Sequence, residues 1–299
     1  MHCSFRRIIN QPRIKQNMKY LGLLRVRQWY KNLVIFLPLI FSKDVFTAAN
    51  FLLTFIGFLA LCCISSANYV INDILDRKKD KVHPEKCKRP LASGSVSIPE
   101  ALCVAAFLIF LSIILAVDIS NTFVYFIISL FILTTLYSVW LKNEPFADLL
   151  SIGLNFVLRA ISGTTIIGRD ISPWLVMCTF FLSLFLSTAK RESDLLYLRE
   201  KAVLHKPVLQ YYTQELTQAL MVIATTALII SYGMYSFLSQ YNHLLFTMPF
   251  ALYCILRYFF HALNGSEIAR HPEKGFKDIR LVLGAAGWML SIVALIYFL

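Results

Sequence analysis

Acidic side chains are scarce in this sequence of 299 residues: 17 Asp and Glu face 29 Lys and Arg, a net charge of +12. A nucleic-acid partner would explain such an excess only if some module presented it, and no nucleic-acid-binding motif or long soluble domain is present. Cys3, Cys62, Cys63, Cys87, Cys103, Cys178 and Cys254 form no C-x-x-C pair, which argues against a zinc or dithiol framework. Several lie in apolar runs, where small thiols serve as packing residues. Gly94, Gly153 and Gly163 make no G-x-x-x-x-G-K, so a phosphate-binding P-loop is excluded. The six histidines are scattered, and His83 and His271 each precede a proline, as loop residues do. No internal repeat or low-complexity segment appears, and one domain over 29–299 is expected behind a basic arm at 1–28. That arm has no signal-peptide core with a small-residue cleavage site. Arg6, Arg7, Arg13, Lys15 and Lys19 therefore read as a retained tail able to hold anionic lipid headgroups.

What the sequence has in abundance is apolar surface. It is 58% hydrophobic and 14% aromatic, with a mean hydropathy of +0.63. Uncharged runs of about 20 residues recur, the length that crosses a bilayer. Nine spans are expected, at 29–43, 49–71, 98–117, 119–141, 146–168, 171–190, 216–238, 243–262 and 279–298. The first is the weakest: only Leu33 to Ser42 is free of charge, and Pro38 interrupts it, so a kink or a re-entrant path is expected there. Basic residues concentrate in alternate connections, namely the arm to Lys31, then 72–97, Lys142, 190–215 and 263–278. By the positive-inside rule these face the cytoplasm, as does the N-terminus.

Asn72 to Asp80, NDILDRKKD, ends the second uncharged run with three carboxylates and a carboxamide. On a continuing helix Asn72, Asp73, Asp76 and Asp80 fall within roughly 100° of arc and address one cavity. Hard oxygen ligands at a membrane surface suit Mg²⁺, which takes one or two protein carboxylates and completes its shell with water and phosphate. The alternative is an ordinary polar helix end paired with Arg77, Lys78 and Lys79.

A second polar feature lies inside the fifth span. Asp148, Ser151, Asn155, Arg159 and Ser162 are spaced 3, 4, 4 and 3, a stripe along one helix face that must meet protein or water. Asp148 and Arg159 stand about 16 Å apart on that helix, too far to pair. Each is expected to meet another helix or a substrate, and Arg159, with its planar fork, suits a phosphate. Further cations stand at other helix ends of the same face: Lys31; Lys86, Lys88 and Arg89; Lys142; Lys190 and Arg191. With the aspartate cluster they describe a cationic cavity for a highly phosphorylated ligand.

N-D-x-x-D-x-x-x-D at Asn72 to Asp80, followed by K-x-x-R-P-L-A-x-G at Lys86 to Gly94, resembles the UbiA-type membrane prenyltransferase superfamily. RQWYKN at 27–32, YSVWLKN at 137–143, the frame from Asp148 through Arg159 to Gly163, AKRESDL at 189–195 and RY at 257–258 are similar to its decaprenyl-phosphate phosphoribosyltransferase branch. The resemblance implies an all-α membrane protein, a nine-helix bundle with a cytoplasm-facing cavity. It also implies attack by a polyprenyl phosphate on carbon 1 of 5-phosphoribosyl diphosphate (PRPP), releasing pyrophosphate with Mg²⁺ as cofactor. Carried over by position, Asn72 and Asp76 are the metal ligands, with Asp73 and Asp80 acting through water or supporting the ligands from behind. Lys31, Tyr69, Lys86, Arg89, Lys142, Arg159, Lys190 and Arg191 are substrate contacts, and Asp148 and Asp194 complete the catalytic set. The chain departs from the family at KRESD, where a pattern like K-R-Y-A-E is usual; Asp194 is one methylene shorter, and Glu192 has no counterpart. Membrane lipid is a further partner, self-association stays open, and epimerase-type enzymes would act downstream toward lipid-linked arabinofuranose for cell-envelope glycan. Two rival readings stand beside this one. An aromatic prenyltransferase would use an allylic diphosphate but typically carries a second D-x-x-x-D, where this chain offers Lys190, Arg191 and Asp194. A transporter of a phosphorylated metabolite would be marked by inverted repeats or paired broken helices.

Overall fold

Proline and charge divide the chain into helices of membrane length. The computed structural model describes residues 19–82, 86–198 and 207–298; Arg6, Arg7, Arg13, Lys15 and His83 lie outside them. Eight helices among the described residues are long and apolar enough to cross a membrane. They are α1 (Ala48–Leu75), α2 (Ile98–Val117), α3 (Asn121–Val139), α4 (Ala147–Ile166), α5 (Pro173–Leu198), α6 (Gln214–Leu238), α7 (Met248–Leu263, entered through a 3-10 turn at Asn242–Thr247) and α8 (Ile279–Tyr297). α3 and α8, with 19 residues each, rise about 28 Å, close to the hydrocarbon thickness. No strand occurs among the described residues.

The expected first span, 29–43, is not a ninth such helix. Val26–Phe36 is a 3-10 helix of 11 residues, continued by a five-residue α-helix at Leu37–Phe41. Pro38 sits in the first turn of that short helix. Its missing N–H is tolerated in a first turn, where that donor has no partner within the helix, so the α coil starts where the sequence placed a kink. A 3-10 helix climbs about 2.0 Å per residue, and 11 residues therefore cover about 22 Å with fewer residues than an α-helix would need.

The outer faces of the helices mark the solvent. On α2 and α3, Phe107, Phe110, Ile114, Tyr125, Ile132 and Val139 are exposed. A continuous apolar surface of this kind is a liability in water and the normal condition in lipid. The protein is an integral, multi-pass membrane protein.

The described chain forms two compact units. The first combines the chain up to Leu33 with Phe55–Val139; the second combines Val34–Thr54 with Trp140 onward. In the first, Leu23, Val70, Leu91, Val96, Ala101 and Ala105 make the core. The Ser112 hydroxyl donates to the Ala60 carbonyl (2.8 Å), tying α2 to α1. A capping box between Ser97 and Glu100 starts α2. The preceding loop turns at Gly94, whose φ of +77° is open to glycine without steric cost. In the second unit, α5 is the central helix and packs against α4 and α6 and a short helix at Glu267–Arg270. Leu149, Leu184, Phe185, Ala189, Met221, Ala224, Tyr258 and Ala262 form its core.

Candidate active site

The aspartate cluster of the first unit keeps helical geometry past the end of α1. The Asp76 N–H donates to the Asn72 carbonyl (2.9 Å) and the Asp80 N–H to the Asp76 carbonyl (2.8 Å), leading into a short helix at Arg77–Val82. The four side chains thus share the expected arc. Their environments differ. Asn72 and Asp76 are half-buried, whereas Asp73 and Asp80 are buried. Arg89 reaches both buried carboxylates with one nitrogen, 3.1 Å from Asp73 Oδ1 and 2.6 Å from Asp80 Oδ2. Arg25 donates to the same Oδ1 of Asp73 and lies 4.8 Å from the centre of the Tyr69 ring. The pairing of these acids with Arg77, Lys78 and Lys79 is not what forms: Arg77 donates to the Leu91 carbonyl, and the two lysines are exposed.

Lys86 and Lys31 in this unit are half-buried. Burial, and after it the neighbouring Arg89, pushes the Lys86 ammonium below its usual range, with Asp80 and Asp76 opposing. An arriving anion would relieve that strain on the charge.

No group of three or more His, Cys, Asp or Glu side chains gathers into a metal-holding set among the described residues. Mg²⁺ asks for less. Asn72 and Asp76 stand one turn apart, and Asp73 Oδ2 is buried with no hydrogen-bond partner. One or two carboxylates and a spare oxygen for a bound water is the donor set that a hydrated Mg²⁺ carrying phosphate requires, so these residues fit the ion.

In the second unit the polar stripe of α4 is buried along its whole length, from Asp148 at 0% exposure to Asn155 at 8%. Its members donate back one turn: Ser151 to the Asp148 carbonyl (3.2 Å), Asn155 to that of Ser151 (2.9 Å), Arg159 to that of Asn155 (2.8 Å) and Ser162 to that of Arg159 (2.8 Å). Backbone carbonyls thereby satisfy part of the polarity at little conformational cost. Arg159 also lies 5.7 Å from the Phe156 ring centre.

Asp148 finds its ion-pair partner on α5. Arg191 donates to Asp148 Oδ2 through Nη2 (3.0 Å) and Nε (3.3 Å), and the Tyr212 hydroxyl donates to Oδ1 (2.7 Å). The Phe146 N–H in turn donates to the Tyr212 oxygen (2.8 Å). Burial first, and the bond to Asp148 after it, push the Tyr212 phenol above its usual range. Lys142, in a 3-10 turn at Leu141–Asn143, and Lys190, on α5, are half-buried.

The two carboxylates of KRESD are both engaged. Glu192, fully buried, accepts from Thr217 and from Gln218 (2.9 Å) on α6. Asp194 faces Arg270 (3.4 Å), whose guanidinium lies 3.7 Å from the centre of the Tyr197 ring. The RY pair resolves into packing. Arg257 and His261 both bond Asp278, the residue that caps α8, while Tyr258 stacks edge-on against Phe185.

Arg25, Tyr212 and Arg270 are the contacts that the sequence did not single out. Arg25 stands in the basic RVRQWYK run beside Lys31, a signal of location only. Tyr212 and Arg270 carry no local signal, because their partners are 64 and 76 residues away.

A model of the UbiA prenyltransferase family matches residues 34–277. A decaprenyl-phosphate phosphoribosyltransferase of Corynebacterium glutamicum is 31% identical over 287 residues, covering 92% of this chain and 85% of the relative. A protein of the same name from Mycolicibacterium smegmatis is 28% identical, covering 92% and 91%. Among solved structures, a UbiA homologue from Archaeoglobus fulgidus bound to DMAPP and Mg²⁺ superposes with a TM-score of 0.73 over 94% of this chain and 100% of that one, at 22% identity. At that identity the likeness establishes the fold.

Proposed function

The chain belongs to the UbiA prenyltransferase family, and from that premise we propose that it transfers 5-phosphoribose from PRPP to a polyprenyl phosphate, releasing pyrophosphate. The acceptor is a decaprenyl-like phosphate and the product feeds lipid-linked arabinofuranose for cell-envelope glycan, in keeping with the names of the two relatives. The protein sits in a bacterial inner membrane with its basic connections in the cytoplasm, where PRPP is made.

The observation that carries this reading is the end of α5. An enzyme that ionises an allylic diphosphate would use a second pair of carboxylates there. Here Glu192 is buried against Thr217 and Gln218, and Asp194 is held by Arg270. Lys190 stands beside them, while Arg191 is taken up by Asp148. A cation in place of a carboxylate pair suits a donor phosphorylated at both ends.

Asn72 and Asp76 would hold Mg²⁺, which when bound would neutralise the departing pyrophosphate. The protein's own part is positional. Lys86, whose ammonium is destabilised by burial, is relieved by a phosphate at its side. Arg159 offers a planar fork to a second phosphate, and Lys31, Lys142 and Lys190 supply point charges to diphosphate and 5-phosphate oxygens. Tyr69, held beside Arg25, lines the ribose. The acceptor phosphate is already anionic near neutral pH, with a second pKa of about 6, so no strong base is needed. Its oxygen forms a bond to carbon 1 as the bond from that carbon to the diphosphate breaks, and the electron pair leaves with pyrophosphate. Asp148 and Arg191 hold each other and frame α4 against α5.

Membranes containing the protein, supplied with PRPP labelled in the ribose and polyprenyl phosphates of several lengths, should yield a labelled, acid-labile lipid phosphate. No labelled lipid with any length would refute the proposal.

A further inference from the structure

Arg25 is the one described arginine whose backbone is left-handed, at φ +48°. For a residue with a Cβ that conformation costs of the order of 1 kcal/mol and persists where contacts hold it. Two such contacts are present: the guanidinium lies beside the Tyr69 ring and donates to Asp73 Oδ1. Arg89 donates to the same oxygen. Both guanidiniums crowd Oδ1, while Oδ2 of this buried carboxylate has no hydrogen-bond partner. A buried oxygen left so is costly, and the two guanidiniums fixed on its twin set how the group is aimed.

We propose that Arg25 is a positioning residue that locks Asp73 by Oδ1 and so presents Oδ2 as a preset acceptor for an O–H donor of the incoming donor substrate. The inference rests on the PRPP reading above and names a contact within that site. The donor has one chemistry and two sources: a ribose hydroxyl of PRPP, or a water carried on its Mg²⁺. Arg89 alone cannot provide the lock, because the same nitrogen is shared with Asp80.

The test is PRPP binding by calorimetry on the purified full-length protein, with Mg²⁺ and with chelator, alongside thermal unfolding of each variant. Asp73→Asn and Arg25→Met should each weaken PRPP binding about tenfold to a hundredfold, the range for a hydrogen bond to a charged group. The double variant should lose no more than the worse single. Arg25→Lys should recover part of the loss, since it keeps the charge but not the fork. If a ribose hydroxyl is the donor, the Asp73→Asn penalty disappears with the 2-deoxy or 3-deoxy analogue of PRPP; if metal-bound water is, it disappears in chelator. A penalty that survives both, or Arg25→Met binding PRPP like the unaltered protein, overturns the inference. Unaltered protein that binds no PRPP overturns instead the reading on which it rests.

Discussion

Replacing Asp148 by leucine removes one half of a buried ion pair and strands the other half. Arg191, with a side chain 6% exposed, would keep its charge in the protein interior without its carboxylate, and Tyr212 would lose its acceptor. Breaking such a pair from one side costs about 3–5 kcal/mol, because the remaining charge is desolvated and unpaired. At about 2–4 °C per kcal/mol for a chain of this order of size, unfolding in detergent should fall by roughly 6–20 °C. Removing both charges, as in Asp148→Leu with Arg191→Met, should recover most of that loss, since an apolar pair of similar volume packs in place of the ions. The assay is thermal unfolding of the single and double variants followed by fluorescence of the native tryptophans. A double variant no more stable than the worse single, or Asp148→Leu as stable as the unaltered protein, would show that the pair does not frame α4 against α5. Measuring PRPP turnover on the same samples separates the roles. A framing pair regains activity with stability, whereas a catalytic Asp148 regains stability alone.

Three further outcomes follow from the geometry. A Cβ added at Gly163 would lie 2.2 Å from the Ile35 carbonyl oxygen. Gly163→Ala should therefore destabilise by about 1–3 kcal/mol despite the better helix propensity of alanine, and unchanged unfolding would refute the close approach. Asp76→Ala, and almost equally Asp76→Asn, should nearly abolish turnover without lowering thermal stability; near-normal activity in both variants, or in chelator-treated membranes, contradicts the metal assignment. The Asp278 carboxyl is held well below the usual range, first by its bond from Arg257 and then by His261 and the first N–H groups of α8. A depressed carboxyl contributes stability that is complete above its ordinary value of about 4 and is lost on acidification below it. Asp278→Asn should therefore lower the unfolding temperature at pH 7 and flatten its fall between about pH 4 and pH 2, and a parallel pH curve would count against the cap.

Much of the fold was legible because lipid imposes a simple rule on sequence. Uncharged runs of membrane length became α1 to α8, and the stripe from Asp148 to Ser162 was bound to be buried because ionisable groups do not face hydrocarbon. The Asn72 to Asp80 arc followed from helical spacing and needed only that the helix continue. The first segment was less legible, because 3-10 and α coils share apolar residues three apart and only Pro38 hinted at the change. Pairings were harder still. Spacing alone separated Asp148 from Arg159, yet nothing local pointed to Arg191, 43 residues on, or to Tyr212. Arg25 looked like one more basic residue of the N-terminal run until its left-handed backbone brought it to Asp73 and Tyr69. Partners across helices are set by packing, which no periodicity reports.

The electrophile is the measurement that bears most directly on the account. Purified protein in lipid vesicles should release pyrophosphate when given PRPP together with a polyprenyl monophosphate and Mg²⁺, and should release none from either substrate alone. Pyrophosphate released from a polyprenyl diphosphate in the presence of an aromatic acid, with PRPP inert, would contradict it and make the protein an aromatic prenyltransferase.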